Sequence, residues 1–193
     1  MNLNTIVKIL KQSVELVYER DYYLIQNDVH EQDISHRIAH YFENILMLYP
    51  WYSENGYRID VEYNRNFHDS KRAFSCCDTC SKQECLAKTG MRSYRDVCKP
   101  DIILHKRGKN NQTTNEYNNI LAIEIKKNHS IDNEDFAKLS AFTCSKGEYK
   151  YQLGLYINLT QNKEDIGYKY FRRNKNIVGA NFSHIILEVN NDD

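Results

Sequence analysis

Two prolines and seven glycines in 193 residues leave no proline- or glycine-rich linker. No internal repeat or low-complexity stretch divides the chain either, so 1–193 reads as a single domain with enough length to bury a real core. Charge of one sign is also lacking: 26 Lys+Arg stand against 26 Asp+Glu. The basic excess of a constitutive nucleic-acid binder is therefore missing. A site that gathers carboxylates around a cation would subtract from the basic side, while the bound metal restores positive charge locally. No apolar run approaches the roughly 18 residues of a membrane span, and no basic segment, apolar core and cleavage site open the chain. A soluble, cytoplasmic protein with no membrane partner is expected, and there the Asn-x-Ser/Thr sequons at Asn111, Asn128, Asn158 and Asn181 mean nothing. Neither a phosphate-cradling glycine loop nor a nucleophile elbow is present.

What the chain has is a succession of periodic segments. Ile6, Ile9, Leu10, Val14 and Val17 predict a helix over 5–25. Ile34, Ile38, Tyr41, Phe42, Ile45 and Leu48 predict a second helix from about Asp28, ended by Pro50. Tyr57 to Arg65 alternates as a half-buried strand, and 66–99 is polar, cysteine-rich and irregular, an insertion with its own chemistry. The apolar runs that follow Pro100 and Asn119, joined by an Asn/Thr/Gly-rich loop, predict a long hairpin. Ser130 or Asp132 can cap a third helix with Phe136, Leu139 and Phe142 inward and Gly147 closing it. Strands are expected at Tyr149–Leu159, Tyr168–Phe171 and His184–Val189. The class is α/β: a central mixed sheet flanked by helices, in the order helix, three strands, helix, strand from about Asp28 to Leu159.

Pairing the hairpin from Arg107 with Asn119 sets Asp101 opposite Glu124-Ile125-Lys126. Glu124 and Lys126, two residues apart, share one face of their strand, while Ile123 and Ile125 enter the other. Two carboxylates and an ammonium on an otherwise apolar sheet are costly unless used or neutralised. Asp101 and Glu124 suit a hard divalent cation, which takes one or two carboxylates with waters and substrate phosphate. Lys126 can orient an attacking water or offset charge developing on phosphorus.

Pro100-Asp101 followed by Glu124-Ile125-Lys126 resembles the signature of the PD-(D/E)xK, or restriction-endonuclease-like, nuclease superfamily, and the expected element order is similar to that superfamily's αβββαβ core. The resemblance implies Mg²⁺- or Mn²⁺-dependent hydrolysis of phosphodiester bonds in nucleic acid, DNA more than RNA, with Asp101 and Glu124 as metal ligands and Lys126 near the nucleophilic water. Many members add a carboxylate from the preceding helix, where Glu31 stands. Asp28-x-x-Glu31 also has the form of a capping box, in which Glu31 would only satisfy backbone N–H groups. Glu62 could reach the metal from the neighbouring strand, and Arg37 and Arg65 could contact phosphate. Gln152-x-x-x-Tyr156 is similar to a helical motif of one nuclease branch but falls on an expected strand. His105 and His129 read as packed or solvated, and Lys138, Lys146 and Arg172-Arg173 form no basic run.

Five of the six cysteines fall between Cys76 and Cys98. In a reducing compartment these are thiols or metal ligands, not disulfides. Cys77, Cys80, Cys85 and Cys98 have the spacing of a structural four-thiolate zinc site, with Cys76 or His68 as substitutes, and an iron–sulfur cluster, which some nucleases of the superfamily carry, is the alternative. Cys144 reads as core. A rival function is a non-catalytic module that keeps the sheet as scaffold and grips nucleic acid or protein through a zinc knuckle. A homodimer or a recruiting protein partner would suit a small neutral nuclease.

Overall fold

The computed structural model describes residues 2–27, 29–63, 65–66, 69–70, 99–107, 118–128, 133–144, 149–172 and 175–178. The chain opens with α1 (Leu3–Arg20), its first turn capped by the Asn2 side chain, which accepts the Asn4 N–H at 2.8 Å. The single helix expected over 5–25 breaks at Asp21, and α2 (Tyr22–Gln26) follows. The break has a polar cause: Asp21 takes hydrogen bonds from the Tyr41 hydroxyl (2.7 Å) and Arg37 Nε (3.0 Å) on the next helix. That helix, α3 (Glu31–Leu46), starts three residues later than expected. Its stripe of Ile34, Ile38 and Phe42 is wholly buried, but Leu48 lies beyond the helix end and is 79% exposed. Pro50 does not terminate α3; it occupies the first turn of α4 (Pro50–Glu54), where its missing N–H costs nothing.

Among the described residues, six strands form a mixed sheet in the order β1-β4-β5-β6-β7-β8: β1 (Arg58–Val61), β4 (Ile102–His105), β5 (Asn119–Lys127), β6 (Leu153–Leu159), β7 (Gly167–Arg172) and β8 (Lys175–Val178). A separate two-stranded pair, β2 (Arg65–Asn66) and β3 (Asp69–Ser70), lies between β1 and β4 in the chain. Among the described residues only the β5–β6 pair is parallel, and the helix α5 (Asn133–Thr143) makes the crossover between them. From α3 the order is α3, the short α4, strands β1 to β5, α5 and β6, so α4 and the β2–β3 pair add to the expected helix, three strands, helix, strand. The strand expected over 57–65 stops at Val61, because Glu62 turns to φ +49°. The expected strand at His184–Val189, the caps Ser130 and Asp132, Gly147, and the cysteines from Cys76 to Cys98 lie outside the described residues. Among the described residues, no helix is long and apolar enough to cross a membrane.

Alternation divides the sheet into two cores. Ile102, Leu104, Leu121, Ile123, Ile125, Leu153, Leu155 and Ile157 pack with the stripes of α1 and α3. The opposite face gives Ile103, Ala122, Tyr156 and Phe171 to α5, whose Leu139 and Phe142 are fully buried as expected, with Cys144 buried just past its end. With both faces covered, β5 reads as a nearly continuous apolar run and not as an alternating one. The outer strand β1 is held to β4 by polar contacts: Asp60 accepts hydrogen bonds from Arg107 Nε at 2.9 Å and pairs with the buried His105 Nε2 at 2.8 Å.

The seating of α5 depends on small residues. Ala122 and Gly154 are register partners on β5 and β6, and a Cβ on Gly154 would stand 3.1 Å from Thr143 Cγ2 and 3.4 Å from Leu139 Cβ. We expect Gly154→Val to drive α5 off the sheet and to cost roughly 1–3 kcal/mol in denaturant unfolding, the usual scale of an overpacked core. A variant as stable as the wild type would show that the helix can shift freely.

Candidate functional site

The charged residues that the sequence sets apart meet at one end of the β4–β5 pair. Ile102 is paired with Ile123, so Asp101, one residue before the ladder, comes level with Glu124. His105, and not Arg107, is the partner of Asn119, and an irregularity between Leu104 and His105 shifts the register by one residue. Asp101 Oδ2 accepts the Ile125 N–H at 2.6 Å, which ties the carboxylate to the strand carrying Glu124. On β5, Ile123 and Ile125 enter the α1/α3 core, and Glu124 and Lys126 project to the other face, toward α5.

Glu31 reaches the same place from the start of α3. Its Oε2 accepts from Lys126 Nζ at 3.2 Å and its Oε1 from the Lys127 N–H at 3.1 Å. His30 holds the N-cap position without a side-chain cap hydrogen bond, and Glu31 is the first residue of the helix, not the third as a capping box requires; Asp28 lies outside the described residues. The N–H that Glu31 satisfies belongs to β5, so it works as a clasp between helix and strand.

Two further members come from α5: Asp135, not singled out from sequence, and Lys138, set aside there as part of no basic run. Asp135, 1% exposed, pairs with Lys126 Nζ at 3.4 Å and with Lys138 Nζ at 2.5 Å. Lys138 Nζ in turn lies 3.9 Å from Glu124 Oε2. The available signal was local: Asp135 and Lys138 are one turn apart, and each precedes an inward residue, Phe136 or Leu139, on the helix that follows Lys126.

Glu124 is 2% exposed, and among the described residues its Oε1 has no hydrogen-bond partner. Burial, then the neighbouring Asp101, pushes its carboxyl well above the usual range. Burial likewise pushes Asp101 up to about 6, against the pull of the Ile125 N–H and Lys126. For Lys126, burial opposes the charge, but Asp135 and Glu31 outweigh it and hold the ammonium above its ordinary value. Lys138 follows the same pattern, with burial overcome by Glu124 and Asp135. The site is therefore a pair of carboxylates short of positive charge beside two ammonium groups firmly kept.

These donors fit a hard divalent cation. Among the described residues no group of three or more His, Cys, Asp or Glu forms a ready metal cage. Mg²⁺ instead takes one or two carboxylates and completes its shell with water and phosphate, which Asp101 and Glu124 can match. The unpartnered Glu124 Oε1 is the acceptor such an ion would use.

Other expected site residues stand elsewhere. Glu62 lies past the end of β1 in a left-handed conformation, so strand alternation does not aim its side chain; its link to the site is its backbone N–H, which donates to the Asp101 carbonyl at 3.1 Å. Arg37 is engaged with Asp21 and the Tyr41 hydroxyl (Nη2 at 2.8 Å), which leaves it bracing α2 against α3. Arg65 has only its backbone described, in β2. Cys77, Cys80, Cys85 and Cys98 are outside the described residues. Tyr156 is buried against α5 from β6, and Gln152 precedes that strand, so the two do not share a helix.

Because the folded Asp101 and Glu124 values lie above the unfolded ones, protonation favours the native state. Their stabilisation is fully present below the ordinary Asp value of 3.8 and is lost as pH rises through about 6 at Asp101 and through the raised value at Glu124. In chelator, Asp101→Asn should thus gain thermal stability relative to wild type as pH goes from about 4 to about 7; a gap that stays constant with pH would contradict the burial cost. At the clasp, Glu31→Gln keeps an acceptor for the Lys127 N–H and loses a part-exposed ion pair, worth under about 1 kcal/mol. Glu31→Ala also orphans that N–H and should cost about 1 kcal/mol more. Equal losses in urea titrations would show that the backbone contact contributes nothing.

Compared with known proteins, the chain matches no protein-family model, no curated protein and no solved structure.

Proposed function

We propose that this protein is a divalent-cation-dependent nuclease of the PD-(D/E)xK type, hydrolysing phosphodiester bonds of nucleic acid with DNA as the favoured substrate. The observation that carries the reading is the buried Glu124, with an unsatisfied oxygen beside Asp101, on the strand face that also presents Lys126. A bound Mg²⁺ or Mn²⁺ would polarise the scissile phosphate and lower the pKa of water.

The chain's own residues supply the rest. Asp101 spends one oxygen on the Ile125 N–H, which fixes its rotamer and leaves the other for the cation. Glu124, in its dry surroundings, gains most from an arriving positive charge. Lys126 keeps its proton because Asp135 and Glu31 flank it, so it faces the phosphate as a fixed positive charge and can hold the attacking water or the charge gathering on phosphorus. Glu31 acts by holding Lys126 and β5 in place. The cysteine set Cys77, Cys80, Cys85 and Cys98 enters the proposal on spacing alone, as a structural zinc site, or less readily an iron–sulfur centre, preceding Pro100-Asp101.

The test is cleavage of single-stranded DNA, duplex DNA and RNA by purified protein in Mg²⁺, Mn²⁺ or EDTA. Wild type should cut in either metal, DNA best, and stop in EDTA. Asp101→Asn, Glu124→Gln and Lys126→Ala should each lower the rate at least about 100-fold while retaining a wild-type circular dichroism spectrum. Inert wild type on every substrate, or a folded variant of full activity, would remove the assignment.

A further inference from the structure

Catalysis as just described leaves Lys138 without a task, yet it is the cation placed nearest to Glu124. Among the described residues its ammonium is the only one within 4.0 Å of that carboxylate, whereas Lys126 is drawn to Glu31 and Asp135. Asp135 is almost fully buried and touches both lysines, one through each oxygen. Ionised together, the carboxylates of Glu31, Asp101, Glu124 and Asp135 would exceed the two ammonium groups by the charge of one divalent cation.

We propose that Lys138 is a resident counter-ion: in the metal-free protein its ammonium stands in for the divalent cation at Glu124, and it gives way when a cation enters, retained by Asp135. The inference rests on the metal-site reading above. A buried carboxylate with one orphan oxygen is tolerated only with positive charge close by, and Lys138 provides it from 3.9 Å, outside hydrogen-bond range. Its firm contact is with Asp135, so the ammonium is anchored there and only leans toward Glu124. A lysine is suited to this, being a compact charge on a flexible stem that can turn on its helix without losing its anchor. The cost falls on metal affinity. A cation binding at Glu124 meets a like charge a few ångströms away in a site with little solvent to screen it.

Removing the charge at Lys138 should therefore tighten metal binding even as it weakens the metal-free protein. Titrating Mn²⁺ alone, by calorimetry or by the loss of free-ion electron paramagnetic resonance signal, should give a Kd at least about tenfold lower for Lys138→Gln than for wild type. Lys138→Arg, which keeps the charge, should stay close to wild type. In EDTA, Lys138→Gln should melt below wild type, and Mn²⁺ should raise its Tm by more. Lys138→Met serves as a second neutral variant, and Glu124→Gln should abolish binding and so locate the ion.

Wild type that binds Mn²⁺, with an equal or weaker affinity in both neutral variants, would overturn the counter-ion role and leave the metal site standing. Neutral variants that remain unfolded in Mn²⁺ as well as in EDTA would show that Lys138 serves packing, and would also overturn it. Absence of binding in wild type and variants alike, or binding that survives Glu124→Gln, would overturn the metal site and the counter-ion together.

Discussion

A carboxylate in the middle of a buried strand must find positive charge, and the arrangement around Glu124 follows from that requirement. β5 is covered on both faces, so Ala122 and Glu124, which leave the α1/α3 core, do not reach water; they meet the α5 side. Ala122 is small and lets the helix approach. Glu124 is ionisable, so that approach brings Lys138 and Asp135 to it. Desolvation here is costly enough that the nearest lysine does not cancel it, and Glu124 remains a strong acceptor for any cation that arrives.

The helices on the two faces divide the task. From one side α3 sends Glu31 over the end of β5, holding Lys126 through its side chain and Lys127 through its backbone. From the other, α5 supplies Asp135, which pulls the same Lys126 in the opposite sense. A long side chain gripped between two acids loses rotamer freedom, and the proposed phosphodiester hydrolysis would draw on charge pre-organised in this way. Asp101 is prepared similarly by the Ile125 N–H, a contact made possible because β4 begins one residue later.

Much of this was legible in the residues. The apolar spacing of Ile34, Ile38 and Phe42 foretold α3, and Phe136, Leu139 and Phe142 foretold the inner face of α5, because burial on a helix repeats with the turn. The two-residue offset of Glu124 and Lys126 was enough to place them on one face, since strand alternation is a local property. The misreadings have local causes too. Asp21 interrupts an otherwise periodic helix because its partners, Arg37 and Tyr41, come from the next one. Pro50 reads as a stop and proves to be a start, a distinction that depends on the turn preceding it. Arg37 resembles a free phosphate contact until its partner Asp21 is placed beside it.

By itself, then, the sequence determined which segments bury which faces and that Asp101, Glu124 and Lys126 would meet, because periodicity and hairpin pairing act over short distances along the chain. Only the tertiary structure decided that Glu31 would bind β5 instead of capping its own helix, that Glu62 would turn out of its strand, and that Asp135 and Lys138 would complete the charge cluster. Each of those depends on how a helix is set against the sheet. That setting follows from the packing of small residues such as Ala122 and Gly154 against α5, a relation between distant residues that no spacing along the chain records.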